Sequence, residues 1–159
     1  MATRPASLSG LYPFRSAFYA RLGYAPIARN QHWRVAPESL PRPQDWEPLQ
    51  SASWQQLASI YHEAESALGR GAACRKEAFW KQLLSDEQLR VHAHPHGYLV
   101  YLHHPDRRQP LTSRLEVLEC VVRRAEAWPH LVGHLIGLQK QVRSIEWPDC
   151  GDSSWPLRW

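Results

Sequence analysis

Residues Leu11 to Tyr24, LYPFRSAFYARLGY, constrain the fold more than any other stretch of the chain. Pro13 suits the first turn of a helix, where its missing N–H costs nothing. Phe14, Phe18 and Leu22 then recur at every fourth position and make one apolar helical stripe. Gly23 stands where a left-handed C-terminal cap belongs. Tyr24-Ala25-Pro26 leaves in extended form, because the residue before a proline is pushed out of the α region. The spacing predicts a short amphipathic helix over Pro13–Leu22 that stops sharply and turns into a strand. Tyr19 falls one position round from Phe18, at the edge of the buried face, where a phenol stays half-buried with its hydroxyl free.

From Tyr24 to Val35 apolar and polar residues alternate, with a break near Arg29-Asn30-Gln31, which predicts two short strands joined by a turn. Four prolines between Pro37 and Pro48 read as a linker or domain boundary. A second unit begins near Trp46. Ser53 followed by Gln56 fits a capping box, and Trp54, Leu57, Tyr61, Ala64 and Leu68 form the buried row of the helix behind it, closed by Gly69. Arg75 to Leu84 is a second helix. Leu89–His94 alternates as a strand, Pro95-His96-Gly97 is a turn, Tyr98–Leu102 is a strand of strong β formers, and Leu111–Val122 reads as a central strand, apolar on both faces. Pro129 opens a helix to about Gln141, and Val142–Trp147 is a last strand. The expected order over residues 46–147 is β-α-α-β-β-β-α-β.

Bulk properties narrow the function classes. At 43% hydrophobic and 21% charged residues the chain has the means to bury a core. The formal net charge is only +4, and the arginines are scattered rather than ranged in a stripe, which argues against nucleic acid as partner. No run approaches the roughly 18 apolar residues of a membrane span, and the first residues lack the apolar core of a signal peptide. The three widely spaced cysteines, Cys74, Cys120 and Cys150, read as reduced thiols of a cytoplasmic protein.

Phe18-Tyr19-Ala20-Arg21-Leu22-Gly23-Tyr24 resembles the "FYxxxGF/Y" element of GNAT-type N-acetyltransferases, where it forms the fourth helix and the turn into the last strands. The fuller string LYPFRSAFYARLGY resembles the enhanced-intracellular-survival (Eis-like) branch, whose chains carry two tandem GNAT-like domains and a third domain similar to sterol carrier protein. The resemblance implies an α+β fold, a GNAT-like mixed sheet flanked by helices and preceded by a partial GNAT segment. It divides the chain into residues 1–36 (the end of a first GNAT-like domain), 37–45 (a linker) and 46–159 (most of a second, catalytically silent one). The implied activity is acetyl transfer from acetyl-CoA to a small-molecule primary amine, with Tyr19 as general acid and Arg15 near the cofactor phosphates. Read as residues alone, Tyr19 is a packing aromatic and Arg15 a solvated helix charge.

Acetyl transfer needs a cradle for the donor's pyrophosphate. The family builds it from Arg/Gln-x-x-Gly-x-Gly/Ala between the fourth strand and a helix, where backbone N–H groups face the phosphates. Here that junction reads Val121-Val122-Arg123-Arg124-Ala125-Glu126-Ala127-Trp128-Pro129-His130. It has no glycine, Glu126 opposes phosphate, and Pro129 removes a donor. Residues 46–159 are therefore expected to keep the fold without the cofactor site, and the chain to be weak or inactive by itself. The Eis-like general base, a carboxylate at the end of the third domain, lies outside this sequence.

Two other readings stand beside this one. The chain could serve as a non-catalytic interaction or dimerisation module, with its partial segment docked on another copy or on sister domains. Alternatively, His92, His94 and His96, on one side of a strand, could join His103-His104 on the next as a metal-binding hairpin. Pro95 and the Gly97 turn spoil the geometry at the third histidine. Glu116 and Glu119, three apart on a strand, should face opposite sides and make no acid pair.

Overall fold

The computed structural model describes residues 14–25, 32–68, 73–106 and 113–148. Pro13, Ile27, Gly69, Cys150, Trp155 and Trp159 lie outside them. Two compact units divide at residue 30.

In the first unit, helix α1 spans Ser16–Ala20, shorter than the spacing predicts. Arg15 is extended (φ −146°, ψ 109°), so the helix cannot start before Ser16. The stop is as expected. Gly23 has φ +86°, and the Tyr24 N–H reaches back to the Tyr19 carbonyl at 3.1 Å, the six-to-one bond of a glycine cap. The stripe of Phe14, Phe18 and Leu22 is exposed among the described residues, at 74%, 52% and 62%.

The second unit is built on one mixed sheet. Its strands are β1 (His32–Val35), β2 (Leu89–His94), β3 (Gly97–His104), β4 (Arg114–Val122) and β5 (Ser144–Pro148), in the order β1-β5-β4-β3-β2. Only β4 and β5 run parallel; the other neighbours are antiparallel. Helices α2 (Trp54–Leu68) and α3 (Glu77–Ser85) cover one face and α4 (Trp128–Gly137) the other. The strands supply both faces by period-two alternation: Tyr98 and Val100 pack under α2 and α3, while Leu99 and Tyr101 pack under α4. Leu131 and Leu135 of α4 are fully buried, each worth roughly 1.5–3 kcal/mol of transfer free energy. This is the α+β GNAT-like architecture expected from the sequence.

Local features depart from the expectations or add to them. The strand expected near Trp46 is reduced to one bridge, Gln50 to Ala93. In the proline-rich stretch Pro37 and Leu40 are buried, and Leu40 belongs to the α4-side core. Strand β1, assigned by its sequence position to the preceding segment, pairs with β5 from His32–Pro148 to Val35–Ile145. Finally, Glu116 and Glu119 share a face. Val100 pairs with Glu119 but Tyr101 pairs with Val117, so Leu118 is an extra residue, a bulge that restores both glutamates to the α2/α3 side. Each has its own partner, His104 for Glu116 and Arg75 for Glu119.

Candidate functional site

Strands β4 and β5 are paired only at Arg114–Ser144, Leu115–Ile145 and Glu116–Glu146, although β4 runs on to Val122. Beyond Glu116 the two strands part. The chain leaves β4 through Arg123 and Arg124, makes a 3-10 turn at Ala125–Ala127 and enters α4 at Trp128. A parting of parallel strands beside a helix N-terminus is a place where an α/β fold can receive an anionic ligand.

The start of α4 offers little to such a ligand. The Ala127 N–H is bonded to the Arg124 carbonyl and the Trp128 N–H to the Ala125 carbonyl; Pro129 has none. Arg123 turns its guanidinium the other way. It reaches Glu63 of α2 at 2.6 Å, the Pro95 carbonyl at 2.8 Å and His96 Nδ1 at 3.2 Å, which ties the junction to the β2–β3 turn. Glu126 lies 2.9 Å from His96 Nε2. His94, Pro95, His96, Glu126 and His130 line a shallow cleft of about 300 Å³. Further along α4, the Trp46 ring lies directly on Gly133. The family's pyrophosphate does not fit these residues: the Ala127 and Trp128 N–H groups are engaged, Pro129 has none, and a carboxylate stands at the helix entrance.

The histidines pair across the sheet–helix interface in a way strand spacing does not reveal. His92 meets His134 at 4.6 Å between ring centres, and His94 stacks on His130 at 4.4 Å. Several ring nitrogens have partners. His94 Nδ1 accepts the His96 N–H, His130 Nδ1 accepts the Glu47 N–H, and His134 Nε2 bonds the Tyr101 hydroxyl. Burial first, then His92, lowers the His134 pKa to about 4; burial also lowers those of His92 and His94. His104 lies on the opposite face, with Glu116. Among the described residues no three His, Cys, Asp or Glu side chains are arranged to hold a metal ion. His92 and His94 share the α4 face, each against a histidine of that helix, and His96 lies 5.7 Å from His94 between ring centres.

Tyr19 lies in α1, half-buried, its ring edge-on to Phe18 at 5.3 Å, Phe14 at 5.5 Å and Tyr24 at 5.9 Å. Arg15 is exposed just ahead of that helix, and its carbonyl accepts the Phe18 N–H at 3.1 Å. Both belong to residues 1–30, the junction to residues 31–159. The sequence reading missed His130 and His134 as partners and the tethering role of Arg123. His130-x-x-x-His134, at helical spacing, was the available signal.

Residues 71–158, more than half of the chain, match the acetyltransferase (GNAT) domain family. The chain belongs to the GNAT family. Solved GNAT structures share its fold. A GCN5-related N-acetyltransferase from Anabaena variabilis superposes with a TM-score of 0.69 at 18% identity, over 93% of this chain and 40% of that one. Eis1 from Mycobacterium abscessus gives 0.65 at 24%, over 92% and 41%. A GCN5-related N-acetyltransferase from Kribbella flavida gives 0.69 at 18%, over 92% and 37%. The chain thus spans about two-fifths of the length of these structures. No curated protein sequence is a match. Among the described residues, no helix of this GNAT chain is long and apolar enough to cross a membrane.

Proposed function

We propose that residues 31–159 are the cofactor-free GNAT-like domain of an Eis-like N-acetyltransferase of the cytoplasm, and that residues 1–30 are the end of its catalytic GNAT domain. In that architecture Tyr19 is the general acid and Arg15 flanks the donor phosphates. A phenol of pKa about 10 can return a proton to a departing thiolate, whose thiol has a pKa of about 8.5, when it is held within reach. The reaction class is transfer of acetyl from acetyl-CoA to a small-molecule primary amine. The cradle and the general base would both come from outside these 159 residues.

The observation that carries this reading is the start of α4, where Ala127 and Trp128 have spent their N–H groups and Pro129 lacks one. A domain that keeps the strand parting without phosphate donors retains a shape, not a reaction. Calorimetric titration of the purified chain with acetyl-CoA should give no saturable heat. Micromolar binding, with turnover lost in Tyr19→Phe, would sink the proposal. Coding sequence in frame ahead of Met1 that carries an Arg-x-x-Gly-x-Gly cradle would support it.

The exposed stripe of Phe14, Phe18 and Leu22 favours a second reading, an interaction or dimerisation module. Sizing by light scattering across a concentration series tests it. A monomer at every concentration, unchanged by Phe18→Ser, removes it.

A further inference from the structure

Arg75 lies in the non-helical stretch ahead of α3, on the sheet face opposite α4. Its guanidinium carbon sits 4.0 Å from the centre of the Tyr61 ring, 4.7 Å from Phe79 and 5.2 Å from Trp80. Its Nη1 is 2.8 and 2.9 Å from the two carboxylate oxygens of Glu119. Tyr61 comes from α2, Phe79 and Trp80 from α3, and Glu119 from β4. A cation between three aromatic faces and one carboxylate is the arrangement by which proteins recognise cationic ligands.

The walls also pack on one another, and the Tyr61 hydroxyl donates to the Ala73 carbonyl. Trp80 is 1% exposed, and it meets Tyr61, Phe79 and Tyr98 edge-on at 5.6, 5.4 and 6.3 Å. The occupant, by contrast, is two residues short of the helix, so its withdrawal unwinds no helical turn. A second, independent feature marks the site. The Tyr98 hydroxyl is wholly buried and completes no hydrogen bond, and the charges it faces are those of Glu119 and Arg75. A buried polar group without a partner is uncommon in folded proteins. The rim is open: the Arg75 and Glu119 side chains are each 21% exposed.

We propose that Tyr61, Phe79, Trp80 and Glu119 form a recognition site for a guanidinium on an alkyl stem, which Arg75 fills in cis and an external guanidinium enters in its place. The tethered side chain competes at an effective concentration of about millimolar order, so external ligand binds the native chain weakly. The site is on the other side of the sheet from the α4 junction and stands or falls apart from the acetyl-transfer reading.

Two probes separate the sources of the ligand: agmatine for a small molecule, and an acetylated Gly-Arg-Gly amide for an arginine side chain of a partner. Titrated into the full chain, the favoured probe should bind Arg75→Ala at least tenfold more tightly than wild type, and Arg75→Ala/Glu119→Gln should lose that gain. If Arg75→Ala does not fold, Arg75→Lys, which keeps a cation over the rings, should bind more tightly than wild type. Absence of saturable binding to the folded variant, or a gain that survives Glu119→Gln, overturns the proposal.

Discussion

The imidazole of His94 stacks on that of His130, 4.4 Å between centres and 12° between planes. Two residues away on β2, His92 meets His134, four residues further along α4. Strand spacing of two and helix spacing of four nearly coincide in length, so one strand and one helix present two imidazole pairs in register. Neutral rings pack this way; two imidazolium ions in either pair would repel.

Acid should therefore loosen the β2–α4 interface. Burial and His92 hold His134 at about 4, against an ordinary 6.5. His92 is lowered by burial and Arg90; His94 is lowered by burial, His130 and His96 against the opposing pull of Glu126 and Glu47. The unfolded chain binds more protons below 6.5, so stability is complete above that value and declines as pH falls toward 4. Thermal melts from pH 7.5 to 4.5 should show the decline, and His134→Gln should flatten it. Glu146, lowered chiefly by its bond to Arg34, acts in a separate window below its ordinary 4.5.

Gly133→Ala should destabilise, although alanine is the better helix former. A Cβ there would overlap the Trp46 ring. The expected loss in urea unfolding is about 1–3 kcal/mol. In a Trp46→Ala background the same change should become neutral or stabilise by up to about 1 kcal/mol, because only the backbone entropy of glycine remains.

Arg123→Ala should cost about 1–3 kcal/mol, through loss of its bonds to the Pro95 carbonyl and the His96 ring more than through its ion pair. Glu63 is 53% exposed, so Glu63→Gln should cost less than about 1 kcal/mol. Equal losses for the two changes, by chemical denaturation, would contradict this division.

Tyr98→Phe should leave stability unchanged or raise it by up to about 1 kcal/mol, since the hydroxyl it removes is buried without a partner. Burial, then Glu119, pushes that phenol well above its ordinary range, so no ionisation of Tyr98 should appear in a spectrophotometric titration until the chain unfolds.

Much of the architecture was legible along the chain. The i, i+3, i+4 rows found α2 and α4, alternation found β2, runs of β formers found β3 and β4, and Gly23 marked the end of α1, because these signals are local and lie within a few residues. The fate of Arg34 was not legible. Its partner Glu146 is 112 positions away, and no local pattern records which distant strand closes an edge. The site divides in the same way. The lack of glycine between Val121 and His130 was plain in the sequence, whereas the use of Arg123 as a tether, the histidine pairs and the seating of Arg75 were not.

By itself the amino-acid order determined that the junction before α4 lacks the glycines of the family's phosphate-binding pattern and places a proline, which has no N–H, at position 129. The tertiary structure decided which side chains meet. One extra residue at Leu118 reverses the side-chain direction along β4, and this alone brings Glu119 to the face where Arg75 and the aromatic rings lie.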